Sequence, residues 1–263
     1  MRIGFVSDIH IDQIPLEGTE VLKLFGYWIK KNNLSHFVIG GDISNNWKVS
    51  CHFVQDLQDT TGVQVYFIPG NHDYWSQNTE EPQLYDQIDT WSIYRKLSKH
   101  PQCLLEKSIW LSDQLVLVGH SGWYNHAYKG SKDNGNIFTE QELEKGEYNE
   151  RTWQDKIFVN WKMSDRDTSK IMTNKVRNQL ERLKNDFTKS FEKEELQVIL
   201  VTHMVTIPEF CVPMPHQEFD YFNAFIGTDD FDELIKDHPI LYNFMGHVHY
   251  RSELIVGGDF IYC

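Results

Sequence analysis

The chain has 263 residues, a length that fits one large domain or a domain with an inserted segment. Hydrophobic residues make up 40% of it and glycine adds 16 residues, so the composition is that of a folded globular protein and excludes wholesale disorder. The 25 basic and 38 acidic residues give a formal charge of −13, which repels polyanions at long range. Duplex nucleic acid is therefore not an expected partner.

The first residues, MRIGFVSDIH, reach Asp8 and His10 almost at once. They lack the basic segment and the apolar stretch of about 7–15 residues that define a signal peptide. No run of about 18 apolar residues occurs, which argues against a membrane helix. The four cysteines are far apart and form no Cys-x-x-Cys pair, which argues against a zinc knuckle or a dense disulfide framework. We therefore expect a cytoplasmic protein with reduced thiols and no membrane partner.

Short apolar runs rich in β-branched residues recur along the chain, each bounded by turn-forming or polar residues, as buried strands are. These runs are residues 3–6, 37–40, 63–68, 115–119, 197–202 and 240–246. Helical patterns lie between the first pairs, so the sequence predicts an α/β fold with a largely buried sheet. In the tail, two short runs flank Gly257 and Gly258 and predict a hairpin.

Residues 121–167 break this alternation. A polar, aromatic-rich stretch with glycines is followed there by a charged segment, and we interpret the region as a cap inserted into a single domain spanning 1–263. Beyond it, apolar residues at spacings of three to five predict a core-facing helix over about 168–191. The members of this stripe are Ile171, Val176, Leu180, Leu183, Phe187 and Phe191.

Five short polar motifs stand at the carboxyl ends of predicted strands, the edge where open α/β sheets bind ligands. They are Asp8-x-His10, Gly-Gly-Asp42, Gly-Asn71-His72-Asp73, Val-Thr-His203 and Gly-His247-Val-His249. A single Asp or His at a strand end is more often a turn or cap residue. Five such motifs in this order indicate one shared chemistry.

Seven of these side chains are candidate metal ligands: Asp8, His10, Asp42, Asn71, His203, His247 and His249. Their carboxylate, amide and imidazole groups suit Mn²⁺, Fe and Zn²⁺ better than thiolate-seeking ions. If one carboxylate bridges, the seven residues of this set make four bonds to each of two ions and leave positions for water and substrate. Two ions about 3.5–4 Å apart activate a water and clamp a phosphoryl oxygen. A phosphate ester is the expected substrate.

The arrangement resembles the calcineurin-like metallophosphoesterases, whose pattern is Asp-x-His, Gly-Asp, Gly-Asn-His-Asp/Glu, a lone His and Gly-His-x-His. The match runs from residue 8 to residue 249. The resemblance implies a four-layer α-β-β-α sandwich with two central sheets. By position, it implies a first metal held by Asp8, His10 and His249, a second held by Asn71, His203 and His247, and Asp42 as the bridge. It also implies that a metal-bridging hydroxide attacks phosphorus while His72 protonates the leaving oxygen.

Two further residues, Asp73 and Asn45, stand near this histidine in the pattern. Asp73 is placed with His72 among the catalytic candidates, either orienting His72 or a ligand, or stabilising the turn before Tyr74. In the protein-phosphatase branch, the loop after the bridging Asp continues to an Asp that supports the histidine and then to an Arg. Here Asn45 stands at the supporting position and no Arg follows, which favours phosphodiesterases and small-molecule phosphatases. We group Asn45 with the substrate-binding residues.

The segment 119–126 leaves another predicted strand end. His120, Trp123, Tyr124 and His126 are therefore candidates for the border of the phosphate pocket, with the aromatic rings stacking on a base or sugar. The alternative is that Trp123 and Tyr124 pack the cap against the sheet. The same stretch argues against a serine hydrolase, because Trp123 replaces the last glycine of the Gly-x-Ser-x-Gly elbow.

The sequence thus predicts a phosphoesterase that uses two divalent ions, Mn, Fe or Zn, and acts on a small-molecule phosphate ester. A small-molecule or nucleotide phosphodiester is the preferred substrate. The alternatives are a phosphomonoesterase or protein phosphatase, and a catalytically silent scaffold of the same fold. All seven ligand positions and His72 are filled, which argues against the scaffold, and the charge of −13 argues against a duplex-binding nuclease.

Overall fold

The computed structural model describes residues 1–76, 84–132, 135–190, 195–212, 217–249, 251–256 and 259–262. The strands are β1 Ile3–Val6, β2 His36–Ile39, β3 Gln64–Phe67, β4 Ser108–Trp110, β5 Leu115–His120, β6 Glu147–Tyr148, β7 Arg151–Thr152, β8 Gln197–Thr202, β9 Ile240–Phe244, β10 Glu253–Val256 and β11 Asp259–Tyr262. The α-helices are α1 Gly18–Lys31, α2 Trp47–Thr61, α3 Thr90–Ser98, α4 Glu140–Lys145, α5 Asp155–Phe158, α6 Asp165–Ser190, α7 Gln217–Phe222 and α8 Asp232–Asp237.

The strands form two main sheets and a small separate hairpin. The first sheet is parallel, in the order β1-β2-β3. The second has the order β10-β11-β9-β8-β5-β4, with β5, β8, β9 and β11 parallel and the outer strands β4 and β10 antiparallel to their neighbours. The β10/β11 pair confirms the predicted C-terminal hairpin. The third pair, β6 and β7, lies within residues 121–167.

The alternation of side chains along a strand explains how the layers form. In β2, Phe37 and Ile39 pack into an apolar cluster with α1 and α2, whereas Val38 between them faces a cluster shared with the second sheet. In β8, Val201 faces that shared cluster, whereas Leu200 packs against α6. Each sheet is thus covered by helices outside and by the other sheet inside. The predicted α-β-β-α sandwich is confirmed.

The apolar stripe predicted for 168–191 lies on α6, with one correction. Val176, Leu180 and Phe187 are buried, but Ile171 is exposed and Met172 takes its place in the core. Met172 precedes Val176 by one helical turn, so it lies on the same face, whereas Ile171 is rotated away from that face. Phe191 lies outside the described residues.

Residues 121–167, here named the cap segment, carry the short elements α4, β6, β7, α5 and the start of α6. Phe138 and Trp161 of this segment join the apolar cluster that also contains Tyr74 and Trp75 from the loop after β3. The cap segment therefore packs directly against a loop that carries predicted ligands.

The helices and the cysteines can be compared with the expectations of no membrane helix and of reduced thiols. Among the helices that can be described, none is both long and apolar enough to cross a membrane. Cys51, Cys103 and Cys211 are free thiols. Burial raises the pKa of the Cys51 thiol to about 12, so this cysteine stays protonated near neutral pH.

Candidate metal centre

The five polar motifs follow β1, β2, β3, β8 and β9, and the structure brings their side chains together in two groups of ligand atoms. Within each group the atoms lie within 4.8 Å of one another. The first group is Asp8, His10, Asp42 and His249, and the second is Asp42, His203 and His247. Asp42 belongs to both groups, which is the geometry required of a bridging carboxylate.

The Asp42 carboxylate is surrounded by imidazoles. Its Oδ2 atom lies 3.3 Å from Nε2 of His203 and 3.8 Å from Nε2 of His10. This oxygen is buried and has no hydrogen-bond partner. Burying an unpaired carboxylate oxygen is costly unless a cation compensates it. The donor set around Asp42 therefore fits two divalent ions.

The other ligands of the first group converge on one point. Nε2 of His10 lies 3.2 Å from Nε2 of His249, and that same atom of His249 lies 3.5 Å from Oδ1 of Asp8. Two imidazole nitrogens and a carboxylate directed at a common point can share one ion, because Nε2 is a usual metal-binding atom of histidine.

Asn71 completes the second group. Its Oδ1 atom lies 3.0 Å from Nε2 of His203. The Nδ1–H of His203 donates to the Gly40 carbonyl at 2.8 Å, which fixes the ring so that Nε2 points towards Asp42 and Asn71. His247 is held in the same way, since its Nε2 lies 3.2 Å from the Phe225 carbonyl and leaves Nδ1 for a metal.

The electrostatics of the centre are dominated by the charge of Asp42. Burial opposes ionisation of Asp42, but His203 and His72 outweigh it and hold the pKa of this carboxyl well below its usual range. Burial lowers the pKa of His203, yet Asp42 and Asp8 outweigh this effect and raise it to about 10. For His247, burial lowers the pKa to about 3. The centre is thus an ionised carboxylate compensated by the His203 imidazolium, and a bound divalent cation would take the place of that proton.

Five of the seven predicted ligands have left-handed backbone conformations. They are Asp8 (φ 55°), His10 (φ 44°), Asp42 (φ 51°), His247 (φ 77°) and His249 (φ 55°). Such conformations are uncommon for residues other than glycine and cluster at functional sites. The loops also approach closely, because a Cβ atom on Gly70 would lie 2.1 Å from Oδ1 of Asp42. Glycine is required at position 70 for the two loops to meet.

His72 lies at the edge of this centre. Its backbone N–H donates to Oδ1 of Asp42 at 2.9 Å, and its Nε2 lies 3.9 Å from Oδ2 of the same residue. The Nδ1–H donates to Oδ1 of Asn45 at 2.7 Å, and the ring stacks on Trp75 with centroids 3.8 Å apart. Burial lowers the pKa of His72 to about 4, against the opposing influence of Asp42. Asn45 thus contacts His72 from the position at which the protein-phosphatase branch has a supporting Asp.

Asp73, placed with His72 among the catalytic candidates, bonds to the loops on either side of the centre rather than to the His72 ring. Its carboxylate accepts hydrogen bonds from the backbone N–H groups of Gly70 at 2.7 Å and Ser44 at 3.3 Å, and from the Ser50 hydroxyl. These bonds tie the Asp42 loop to the Asn71 loop. The contacts are compatible with both roles considered for Asp73, stabilising its own turn through Gly70 and orienting the loop of the candidate ligand Asp42 through Ser44.

The four residues predicted to border the phosphate pocket are buried in the interior of the protein. His120 is fully buried and bonds to the Tyr94 hydroxyl and the Gly122 N–H, both at 3.1 Å. Trp123 and Tyr124 are also buried in the core, although both border a cavity of about 230 Å³ in the cap segment. The alternative that they pack the cap segment is therefore the better description, because Trp123 contacts Trp161 with ring centroids 5.2 Å apart.

His126 belongs to a third group of converging ligand atoms, together with Glu144 and Asp165. The Lys156 ammonium group already lies among these carboxylates, donating to Asp165 and, at 3.3 Å, to Glu144. A side-chain cation therefore compensates this cluster. It acts as an internal ion-pair cluster of the cap segment and does not extend the metal centre.

Sequence reasoning missed Asp155, at the start of α5. This buried carboxylate accepts hydrogen bonds from Nδ2 of Asn71 at 2.9 Å, Nε1 of Trp75 at 2.7 Å and Nε1 of Trp153 at 2.9 Å. No strand end or ligand spacing marks it in the sequence. Only the folding of the cap segment onto the metal centre brings it to Asn71.

The fold and the site together define a hydrolase of phosphoric ester bonds with a divalent dimetal centre. The model of the calcineurin-like phosphoesterase family matches residues 1–251, and the chain belongs to this family. A relative, an uncharacterized protein of Acanthamoeba polyphaga mimivirus, is 25% identical over 270 residues, which covers 99% of this chain and 89% of the relative.

Solved structures share the fold at low sequence identity. The phosphopantetheinyl hydrolase from Mycobacterium tuberculosis has a TM-score of 0.72 and 16% identity, covering 99% of this chain and 87% of its own. A dimetal phosphatase from Danio rerio has a TM-score of 0.51 and 16% identity, covering 99% of this chain and 85% of its own. Both comparisons extend over nearly the whole chain.

Proposed function

We propose that the protein is a metal-dependent phosphodiesterase for small-molecule or nucleotide esters, with His72 as the proton donor to the leaving group. One observation carries this proposal. Asp42 is shared by the two ligand groups, and Nε2 of His72 lies 3.9 Å from Oδ2 of that same carboxylate. A proton donor therefore adjoins the position at which two ions would meet the phosphate.

The ligand roles follow from the two groups. We assign Asp8, His10 and His249 to the first ion, Asn71, His203 and His247 to the second, and Asp42 to both. When bound, the two ions, Mn, Fe or Zn, supply an activated water and stabilise the charge on the phosphoryl oxygens. The residues of the chain would hold the ions in place.

His72 is arranged to deliver a proton from Nε2. Its Nδ1–H is engaged by Asn45, and stacking on Trp75 fixes the plane of the ring. Asn45 adds no negative charge to stabilise the imidazolium, and burial lowers the pKa of His72 to about 4. His72 is therefore less protonated at neutral pH than a histidine with a carboxylate partner would be.

Two observations favour a diester over a phosphoprotein. Within the part of the chain that is described, the ion pairs of Asp8 and Asp42 are with histidines, and no lysine or arginine joins them. A phosphodiester carries a single negative charge and needs less cationic assistance than a monoester dianion. The similarity to the phosphopantetheinyl hydrolase, whose name describes a phosphate-linked group of small size, also supports this class of substrate.

A phosphomonoesterase is the second candidate, supported by the similarity to the dimetal phosphatase from Danio rerio. The test compares bis-p-nitrophenyl phosphate and p-nitrophenyl phosphate with metal-free protein and after addition of Mn²⁺, Fe²⁺ or Zn²⁺. We expect metal-dependent turnover with the diester preferred. Preference for the monoester would replace the first proposal with the second, and absence of turnover in a protein holding two ions would contradict both.

The role of His72 is tested with diphenyl phosphate, an ester with a poorer leaving group. We expect His72→Ala to keep its metal content and to lose about 10²–10⁴-fold in turnover of this ester, the usual range for a missing proton donor. The loss should be smaller for bis-p-nitrophenyl phosphate, because that leaving group needs little protonation. His52→Ala, an exposed histidine on α2, is the matched control. An unchanged rate on diphenyl phosphate would remove His72 from the mechanism.

A further inference from the structure

Asp155 contacts three side chains that each touch the metal centre or its proton donor. It lies on α5 in the cap segment, yet it is bonded to Asn71, 84 residues earlier in the chain. Its Oδ1 atom accepts from Asn71 and Trp75, and its Oδ2 atom accepts from Trp153. It is 2% exposed, so water does not compete for these bonds.

Each of the three partners has a defined place around the site. Asn71 presents Oδ1 towards His203 in the second ligand group. Trp75 is the surface on which the His72 ring stacks, with centroids 3.8 Å apart. Trp153 meets the His247 ring edge to face, with centroids 5.8 Å apart. The Asp155 carboxylate therefore holds one candidate ligand, Asn71, and the two tryptophans that pack against the rings of His72 and His247.

The bond to Asn71 decides which atom of that amide faces the site. An asparagine side chain ends in an oxygen that accepts and a nitrogen that donates, and only the oxygen is a metal ligand. An ionised carboxylate can only accept, so Asp155 selects the Nδ2 atom and leaves Oδ1 for the ligand group. A rotated amide would place two hydrogen atoms towards the metal position and bring an oxygen against the Asp155 carboxylate.

We propose that Asp155 is a positioning residue, which holds the Asn71 oxygen towards the second metal position and thereby couples the cap segment to the metal centre. The inference rests on the proposed function insofar as it assumes a dimetal centre. It predicts that Asp155 sets the affinity of the second ion, while the ligands of the first ion remain undisturbed. Partners of this kind typically contribute 10–100-fold to metal affinity.

The test measures the dissociation constants of both Zn²⁺ equivalents by competition with a chromophoric chelator, and the coupled spectrum of the Mn²⁺-loaded protein by electron paramagnetic resonance. Asp155→Ala and Asp155→Asn should weaken the second equivalent by about 10–100-fold and leave the first within about threefold. Their Mn²⁺ spectra should show isolated ions where the wild type shows a coupled pair. Asp155→Asn preserves the side-chain shape, so the affinity of the second equivalent can still be measured in this variant if Asp155→Ala folds poorly.

Asp165→Asn is the matched control. Asp165 is also a buried carboxylate of the cap segment that accepts from an indole, Nε1 of Trp123, at 2.8 Å, but it is not bonded to a predicted ligand. This variant should retain both affinities. Trp75→Phe removes the indole bond to Asp155 while keeping an aromatic ring beside His72, and this variant should also retain both affinities. Equal weakening in Asp165→Asn and Asp155→Asn would show a general structural effect and overturn the proposal.

The proposal and the proposed function fail in different ways. If the affinity for the second Zn²⁺ equivalent is unchanged in both Asp155 variants, the positioning role is overturned. This holds whichever ester the enzyme hydrolyses. A wild type that binds two ions but hydrolyses neither class of ester overturns the proposed function, while the affinities still decide the role of Asp155. Binding of fewer than two ions by the wild type would overturn both.

Discussion

Asp42 is the side chain on which both ligand groups depend. It is almost fully buried, and three imidazoles lie within 4 Å of its Oδ2 atom, those of His10, His72 and His203. A carboxylate that bridges two ions in this position would share its single negative charge between them. An amide of the same shape contributes only a weak oxygen donor and no charge.

We expect Asp42→Asn to weaken both metal equivalents together, because the shared charge is lost. The measurement is metal content by mass spectrometry after dialysis against a weak chelator, with two equivalents retained by the wild type. Asp56→Asn, an exposed carboxylate on α2, is the control. Two tightly held ions in Asp42→Asn would refute the bridging assignment.

His120 gives a prediction about pH. Burial lowers the pKa of His120 to about 3, whereas an unfolded histidine titrates near 6.5. The unfolded chain therefore takes up a proton below about pH 6.5 that the folded chain takes up only near pH 3. The stability that the neutral His120 provides is complete above pH 6.5 and is lost progressively as the pH falls towards 3.

We expect His120→Gln to flatten the pH dependence of the unfolding free energy. Between pH 7.5 and pH 5 the wild type should lose about 2 kcal/mol more than the variant, because each pKa unit corresponds to about 1.4 kcal/mol. Urea unfolding at the two pH values measures the difference. Curves that run parallel for wild type and variant would contradict the buried neutral histidine.

The convergence of the candidate ligands could be predicted from the sequence, whereas the surroundings of the site could not. Strand ends and hydrogen-bonding chemistry are local properties, so Asp8 or His203 can be recognised from its neighbours in sequence. The orientation of His120 depends on the register of β5, where Val116 and Val118 face α6 and His120 lies on the same face. Asp155 depends on a contact across 84 positions, for which no sequence pattern exists.

At the level of elements, the strands were predictable because each is a short, buried, β-branched run. Their division into two sheets came from the family resemblance and not from the runs themselves, since it depends on whether β5 pairs with β3 or with β8. The three-residue strand β4, with Trp110 exposed, carries too little apolar signal to be recognised. The hairpin β6/β7 of the cap segment has two residues in each strand, so it is also too short to be recognised from the sequence.

The short elements of the cap segment are joined by Lys156. This lysine on α5 donates to Glu144 on α4 and to Asp165 at the start of α6. The side chains of Lys156 and Asp165 are only 14% and 10% exposed, so the pair is largely desolvated. Removing one partner of a buried ion pair leaves an uncompensated charge, which is more costly than removing both.

We expect Lys156→Met to lower the free energy of unfolding by about 3 kcal/mol, the lower end of the range for a broken buried pair. Lys145→Met is the control, because Lys145 is exposed on the neighbouring helix α4. Urea denaturation measures both variants. Equal stability of the two would show that Asp165 is compensated by other groups, such as His126.

At the scale of the whole molecule, the metal centre joins the two sheets. Asp8, Asp42 and Asn71 follow strands of the first sheet, whereas His203, His247 and His249 follow strands of the second. The inner faces of the sheets are held by the apolar cluster between them. Ions shared between the sheets would add to that packing at one edge.

We therefore expect metal loading to raise the melting temperature. An ion that binds only the folded chain stabilises it by about 2.7 kcal/mol at 100 times its dissociation constant, which corresponds to about 5–10 °C for a chain of this size. Thermal unfolding followed by circular dichroism, with Mn²⁺ or with a chelator, measures the shift. Asp42→Asn should show a much smaller shift, and an equal shift would place the stabilising ion elsewhere.

The distribution of ligands along the chain has a consequence during synthesis. The candidate ligands Asp8, His10, Asp42 and Asn71 are synthesised well before His247 and His249, which follow β9. Because a metal site forms only when its ligands have folded together, neither ion position is complete in a nascent or truncated chain that stops before residue 247. Hydrolysis of phosphate esters is thus acquired only once the loop after β9 has been synthesised and folded, and products terminated before that loop should lack it.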